Sequence, residues 1–267
     1  MDATPLLQAI ALGVIEGFTE FLPISSTGHL ILAERLLGFE EGGRAFKIVI
    51  QLGAILAVVV VFWARLWGIV LGLPRDRAAQ LYARNIAIAV LPALVLGATL
   101  YRQVQAMLGD PWIVCAALIA GGIVIILVDR LGAQARIHAV EAIPLPAALV
   151  IGAAQAVAMI PGTSRSAATI IGAMAMGVDR KTAAEFSFVL AIPTMIAATA
   201  YSLYKEWATL DWQGFWLIAV GFVVSFVVAL LVVRAVLALI AHIGWAPFGW
   251  YRIGVGLVML AVLAAGG

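Results

Sequence analysis

The chain has 267 residues, 64% of them hydrophobic and 11% charged, with a net charge of +2 and a mean hydropathy of +1.12. A soluble domain carries about 25% charged residues, so this chain cannot cover a water-facing surface, and the bilayer must be the solvent for much of it. No basic stripe offers a nucleic acid a footprint, and the single Cys115, set in an apolar run, excludes an internal disulfide framework and any multi-cysteine metal site.

The N-terminus lacks the basic start of a cleaved signal peptide. The first apolar stretch, Leu6–Leu37, is interrupted by Glu16, Glu20, Pro23, the run Ser25-Ser26-Thr27 and His29. Irregular backbone at membrane depth is tolerated only inside protein or along a cavity. The pattern therefore predicts a re-entrant hairpin: helix, break, helix, leaving on the side it entered. Three spans follow, over Ile48–Trp63, Asn85–Leu100 and Trp112–Val128. A second interrupted stretch, Leu145–Met176, breaks at Pro161-Gly162, carries Thr163, Ser164, Arg165 and Ser166, and predicts a second hairpin. Spans over Ala184–Leu203, Phe215–Val233 and Tyr251–Ala265 complete the chain. Trp63, Trp67, Tyr101, Trp112, Tyr201, Tyr204, Trp207, Trp212, Trp250 and Tyr251 gather at span ends as interfacial belts do.

Pro23-Ile24-Ser25-Ser26 matches Pro161-Gly162-Thr163-Ser164 at an offset of 138. The chain thus divides into repeats over 1–138 and 139–267, each with one hairpin and three spans. Three is odd, so the second repeat enters inverted, and inverted repeats place their sites at the shared interface near the midplane. The expected fold is an all-α polytopic membrane protein with six transmembrane helices and two re-entrant hairpins. Placing the Arg65–Arg84 loop in the cytoplasm puts ten Lys and Arg on that side (Arg65, Arg75, Arg77, Arg84, Arg130, Arg136, Arg180, Lys181, Arg234 and Arg252). Five fall outside: Arg35, Arg44, Lys47, Arg102 and Lys205. The positive-inside rule then sets both termini and the mouth of the first hairpin on the outer face.

Ionisable groups at membrane depth are functional candidates by default. Here they are Glu16, Glu20, His29 and Arg165, all within the hairpins. Glu16 and Glu20, four apart, share a helix face and repel unless a cation sits between them, and Mg2+ or Ca2+ favours such oxygen ligands. The alternative is one protonated glutamate in a hydrogen bond. In the run Pro23–Leu30 a loop turns into a helix, with serine or threonine as cap. Free N–H groups there would bind an anion, phosphate above all. His29, in the first turn, could be nucleophile, general acid or base, or phosphate-binding cation. The second tip repeats the pattern through Thr169, and Arg165 adds a planar fork suited to a diphosphate or to an ion pair with Glu16 or Glu20. Gln51, Glu185 and Ser187 either line the cavity or pair helices.

Phosphoryl transfer needs positioning and charge neutralisation above all. The catalytic candidates are Glu16, Glu20, Ser26, His29 and Arg165, with the two glutamates also as metal ligands. Ser25, Thr27, Thr163, Ser164, Ser166 and Thr169 are the candidate substrate-binding hydroxyls. Ser26 or His29 attacks phosphorus, or His29 activates water, with a direct role for His29 favoured.

The segment from Glu16 to Leu30 resembles the first signature of the undecaprenyl-diphosphate phosphatase family, also called the bacitracin-resistance family, and Pro161–Ser166 resembles the second. The similarity extends through Gln51-Leu52-Gly53-Ala54 and Glu185-Phe186-Ser187-Phe188. It implies a bacterial inner-membrane hydrolase that converts undecaprenyl diphosphate to the monophosphate and inorganic phosphate. That reaction recycles the carrier lipid of peptidoglycan synthesis and confers bacitracin resistance. It also implies a divalent cation, an essential set of Glu16, Glu20, His29 and Arg165, and support from Ser26, Thr27, Ser164 and Thr169. A homodimer is an open assembly state. The rival functions are a transporter or flippase for the polyprenyl phosphate, which inverted repeats also build, and a non-catalytic scaffold. The scaffold leaves the membrane charges without purpose.

Overall fold

The computed structural model describes residues 4–39, 43–131, 134–206 and 215–265. Among these the chain is helical, apart from connecting turns, a 3-10 turn over Val140–Ala142 and one bridge between Ile137 and Val178. The first half runs α1 (Thr4–Thr19), α2 (Ser26–Leu37), α3 (Gly43–Val61), α4 (Trp63–Gly72), α5 (Arg77–Thr99), α6 (Tyr101–Leu108) and α7 (Pro111–Leu131). The second runs α8 (Leu145–Val157), α9 (Arg165–Ala175), α10 (Arg180–Glu206), α11 (Phe215–Ile243) and α12 (Ala246–Ala264). Helices α5, α7, α10, α11 and α12 are long and apolar enough to cross a bilayer. The pair α3–α4, bent by 69°, makes a sixth if it is counted as one span.

Each interrupted stretch is helix, break, helix, and each apolar run is a helix. Boundaries follow local chemistry. Asp76 caps α5 by accepting the Ala78 N–H at 2.9 Å, and Gly38 ends α2 in the left-handed conformation. Helices α11 and α12 reach further than hydropathy indicates. Arg234 is exposed on the side of α11 and does not stop it, and α12 begins at Ala246 rather than Tyr251. Cys115 is free and fully buried, packed with Val114, Leu118 and Met259. Trp63, Trp67, Trp112, Tyr204 and Trp250 are exposed as a lipid-facing belt requires, while Trp207 and Trp212 lie outside the described residues.

The early start of α12 overturns one expectation. Arg252 is not on a cytoplasmic loop. It lies about 9 Å along its helix, at 1.5 Å per residue, and is fully buried. Removing it leaves nine basic residues against five, so the charge asymmetry keeps its sign.

Helix α1 packs along α11, and α3 flanks α11 as well; α8 packs along α5, and α12 along α7. The first helix of each hairpin is therefore held by a long helix of the opposite half. Small residues allow the approach, as in other membrane helix pairs. A Cβ at Gly17 would stand 2.5 Å from the Ser225 carbonyl, and one at Gly152 would stand 2.8 Å from the Ala89 backbone. Gly17→Val should push α1 off α11, costing about 1–3 kcal/mol as overpacking does, and lower the melting temperature in detergent. Gly68→Ala, whose new methyl meets nothing within 4 Å, should leave that temperature unchanged or slightly raised.

Candidate active site

Each break ends on a serine in an unusual conformation. Ser25 and Ser164 have φ of 71° and 72° and are the non-glycine residues of positive φ among those described. Each caps the helix that follows: Ser25 Oγ accepts the Gly28 N–H, and Ser164 Oγ accepts the Ala167 N–H. The two caps lie 139 positions apart, not 138, because the second break holds one more residue between its proline and its cap. Ser25 thus corresponds to Ser164 rather than to Thr163.

The tips meet. Ser166 Oγ donates to the Leu22 carbonyl at 2.9 Å. Arg252 reaches both breaks from α12. Its Nη1 donates to Pro23 and Thr163, its Nη2 to Ala117 and Gly162, and its Nε to Leu118, all carbonyls between 2.8 and 3.2 Å away. Gly162 has φ of 93° and lies so close to α7 that a Cβ would stand 2.5 Å from the Val114 carbonyl. A side chain at Gly121 would collide with the guanidinium.

Where the tips touch, one carboxylate gathers two partners. Glu20 Oε2 accepts the Ser26 hydroxyl at 2.5 Å, and Oε1 accepts Arg165 Nη2 at 3.2 Å. Arg165 is thereby the ion-pair partner of Glu20. It lies over the Phe21 ring at 5.7 Å and donates Nη1 to the Ser187 carbonyl at 3.0 Å. Thr169 supports this from behind, with Oγ1 2.6 Å from Ser187 Oγ. Within this cluster two buried atoms of opposite character lack a hydrogen-bond partner: Arg165 Nε, a donor, and Glu16 Oε1, an acceptor.

Two cavities open beside this cluster. One, of about 470 Å³, is lined at its polar end by Glu20, Ser25, Ser26, Thr27, Ser164 and Arg165, with apolar walls that include Leu94, Ala98, Met159, Met195 and Ala197. The other, of about 480 Å³, contains Glu16 and Lys47. Ser26, Thr27, Gln51, Gln105 and Ser202 line both. The lining is that of a groove for an amphiphile: an apolar trough ending at a charged tip.

Four expected residues line neither cavity. Thr163 gives its carbonyl to Arg252. Ser166 and Thr169 are fully buried in the knit behind the tips. His29 turns away, with Nδ1 2.8 Å from the Ser25 carbonyl and Nε2 2.8 Å from the Tyr251 hydroxyl. Of the residues left open between cavity and helix pairing, Gln51 lines both cavities, Ser187 holds Arg165, and Glu185 bonds Arg65 at 2.6 Å. Sequence reasoning missed Arg252, Tyr251 and Gln155, the last of which lines the first cavity and donates Nε2 to the Ala89 carbonyl at 3.2 Å. An arginine one residue inside the last apolar run and a glutamine inside an apolar hairpin were the available signals.

Glu16 and Glu20 fit a divalent cation on chemical grounds. A buried Glu16 carboxylate oxygen without a donor, one turn from a second carboxylate, in a residue that shares its cavity with Ser26, Thr27 and Gln51, suits a hard cation. Among the described residues no group of three or more His, Cys, Asp or Glu gathers. Substrate oxygens would therefore have to complete the shell.

Comparison with known proteins gives one consistent result. The family model described as bacitracin resistance protein BacA matches residues 9–258. A protein of Sphingopyxis alaskensis named undecaprenyl-diphosphatase is 56% identical over 253 residues, covering 94% of this chain and 95% of that one. Undecaprenyl-diphosphatase 2 of Paramagnetospirillum magneticum is 51% identical over 97% of this chain and 99% of its own. An undecaprenyl-diphosphatase of Rhodopseudomonas palustris is 49% identical over 98% of both.

Arg252→Met removes the donor shared by three carbonyls at the breaks (Pro23, Gly162 and Thr163) and two on α7 (Ala117 and Leu118). Breaking such a buried charged network costs about 3–5 kcal/mol, which denaturant titration in detergent should register. Arg252→Lys, with three donors for five acceptors, should recover only part of it.

Proposed function

The chain belongs to the bacitracin resistance protein BacA family, and on that premise we propose that it is an integral membrane undecaprenyl-diphosphatase. It releases inorganic phosphate from undecaprenyl diphosphate and returns the carrier lipid to peptidoglycan synthesis. The observation that carries the mechanism is the Ser26–Glu20–Arg165 contact at the polar end of an apolar trough. The prenyl chain lies along the trough, and the diphosphate meets the tip.

Ser26 Oγ attacks the terminal phosphorus, and Glu20 takes its proton. The bond from that phosphorus to the bridging oxygen breaks, and undecaprenyl phosphate leaves. Water then attacks the phosphoserine, breaking its phosphorus–oxygen bond, releasing inorganic phosphate and restoring the hydroxyl. Arg165, freed in part from Glu20 and with Nε unmatched, neutralises the phosphate oxygens as the charge moves. The N–H groups that open α2 face the same anion. Glu16 and Glu20 would hold Mg2+ or Ca2+, which supplies charge neutralisation to the diphosphate. Ser25, Thr27 and Ser164 orient the head group.

We read the halves as inverted repeats. The equivalence of Ser25 with Ser164 and of Gly13 with Gly152, both 139 apart, supports this. So does the reciprocal packing of α1 on α11 and α8 on α5. The five long apolar helices and the bent α3–α4 pair support six crossings in the bacterial inner membrane, and the basic asymmetry supports both termini and the mouth of the site on the outer face. The names of the relatives favour hydrolysis over transport, and no gradient is required.

Purified protein in detergent should release phosphate from undecaprenyl diphosphate. Ser26→Ala and Arg165→Ala should each lower kcat by roughly 10²–10⁴-fold, and Arg165→Lys should fall between. Chelation should abolish turnover, and added Mg2+ or Ca2+ should restore it. Near wild-type release by both alanine variants would end the assignment.

A further inference from the structure

We propose that Tyr251 is a positioning residue of the reaction, acting through His29 on the backbone of the first break. The inference rests on Ser26 as the nucleophile. A carbonyl oxygen can only accept, so the proton between His29 and the Ser25 carbonyl, 2.8 Å apart, sits on Nδ1. In the neutral ring Nε2 then holds a lone pair, and the Tyr251 hydroxyl, 2.8 Å away, donates to it. The rings are nearly parallel, 5° between planes and 5.6 Å between centroids. The Ser25 carbonyl therefore sets the tautomer, and Tyr251, by holding Nε2, fixes the plane in which the ring presents Nδ1–H to that carbonyl.

What the other nitrogen does is hold a strained peptide. Ser25 has φ of 71°, sparsely populated for a non-glycine residue. Such backbone persists only where its surroundings over-determine it. The Ser25 carbonyl accepts two donors from His29, the ring Nδ1–H and the backbone N–H at 3.3 Å. Ser26 is the next residue and aims its hydroxyl at Glu20. In hydrolase triads a carboxylate orients a histidine that acts on the serine hydroxyl. Here a tyrosine orients a histidine that acts on the peptide carrying the serine, and Glu20 is left as the base.

The second break supplies an internal comparison. Ser164 has the same φ, yet the position 139 after His29 is Ala168, which offers only its backbone N–H at 3.0 Å. That break is followed by Arg165 rather than by the attacking serine. A ring is therefore not needed to form the bend; it is present where the aim of a hydroxyl must be held. Neither His29 nor Tyr251 lines the two cavities, as a relay working from behind requires.

The test uses the full chain in detergent with undecaprenyl diphosphate. Tyr251 is half exposed, so Tyr251→Phe removes a hydroxyl without opening a cavity. It should lower kcat roughly tenfold, as small misplacements of reacting groups do, with KM within about twofold. Nitrogen-15 spectra of the three histidines should show His29 protonated on Nδ1 in both proteins, with its Nε2 signal moved toward that of an unbonded lone pair in the variant. His29→Gln, which can still donate to the Ser25 carbonyl, should keep roughly ten times the turnover of His29→Ala. Unchanged kcat in Tyr251→Phe, or equal loss in His29→Gln and His29→Ala, overturns the relay. Wild-type turnover in Ser26→Ala instead overturns the reading of the site itself, so the two failures are distinguishable.

Discussion

The guanidinium of Arg252 donates five hydrogen bonds to five backbone carbonyls, drawn from both breaks and from α7. An interrupted helix frees backbone groups, and a hydrocarbon interior offers no water to take them. Each unmet group costs several kcal/mol there. Arginine has five N–H donors in a rigid plane and no acceptor, so one side chain answers both breaks and fixes their separation. The meeting of Glu20, Ser26 and Arg165 depends on that tie. If the breaks drift, the carboxylate of one tip no longer touches the arginine of the other.

The second constraint is electrostatic. An acidic pair at membrane depth is unfavourable by itself, and a lone arginine there is equally so. Bringing the tips together lets Arg165 compensate Glu20 while leaving Glu16 Oε1 and Arg165 Nε unmatched. The protein thus holds an acceptor and a donor side by side at the tips, free for groups of opposite charge. Preorganised groups of this kind are the usual source of phosphoryl-transfer catalysis.

Much of this architecture was legible in the sequence because its signals are local. Apolar runs marked the helices, and Pro23 and Pro161 beside hydroxyl residues marked both breaks. Glu16, Glu20 and Arg165 were conspicuous as charges in apolar surroundings. Arg252 escaped because hydropathy set the start of its helix at Tyr251, and a charge at a span edge reads as interfacial; only α12 beginning at Ala246 carries it inside. His29 was legible as a member of the tip but not in its direction. Which face of the first turn meets Tyr251, 222 residues later, is decided by tertiary packing. The one-residue difference between the breaks was likewise invisible to a match of motifs and emerged from the backbone of Ser25 and Ser164.

The reciprocal packing of the hairpins also bears on how the protein is made. Helix α1 leaves the ribosome well before α11, the partner that covers Gly13 and Gly17, which starts at Phe215. At about 5–20 residues per second, the earliest hairpin waits on the order of ten to forty seconds for its seat, with Glu16 and Glu20 lacking their final surroundings. Nascent chains therefore pass through a stage in which half of the candidate site exists without the helix that seats it.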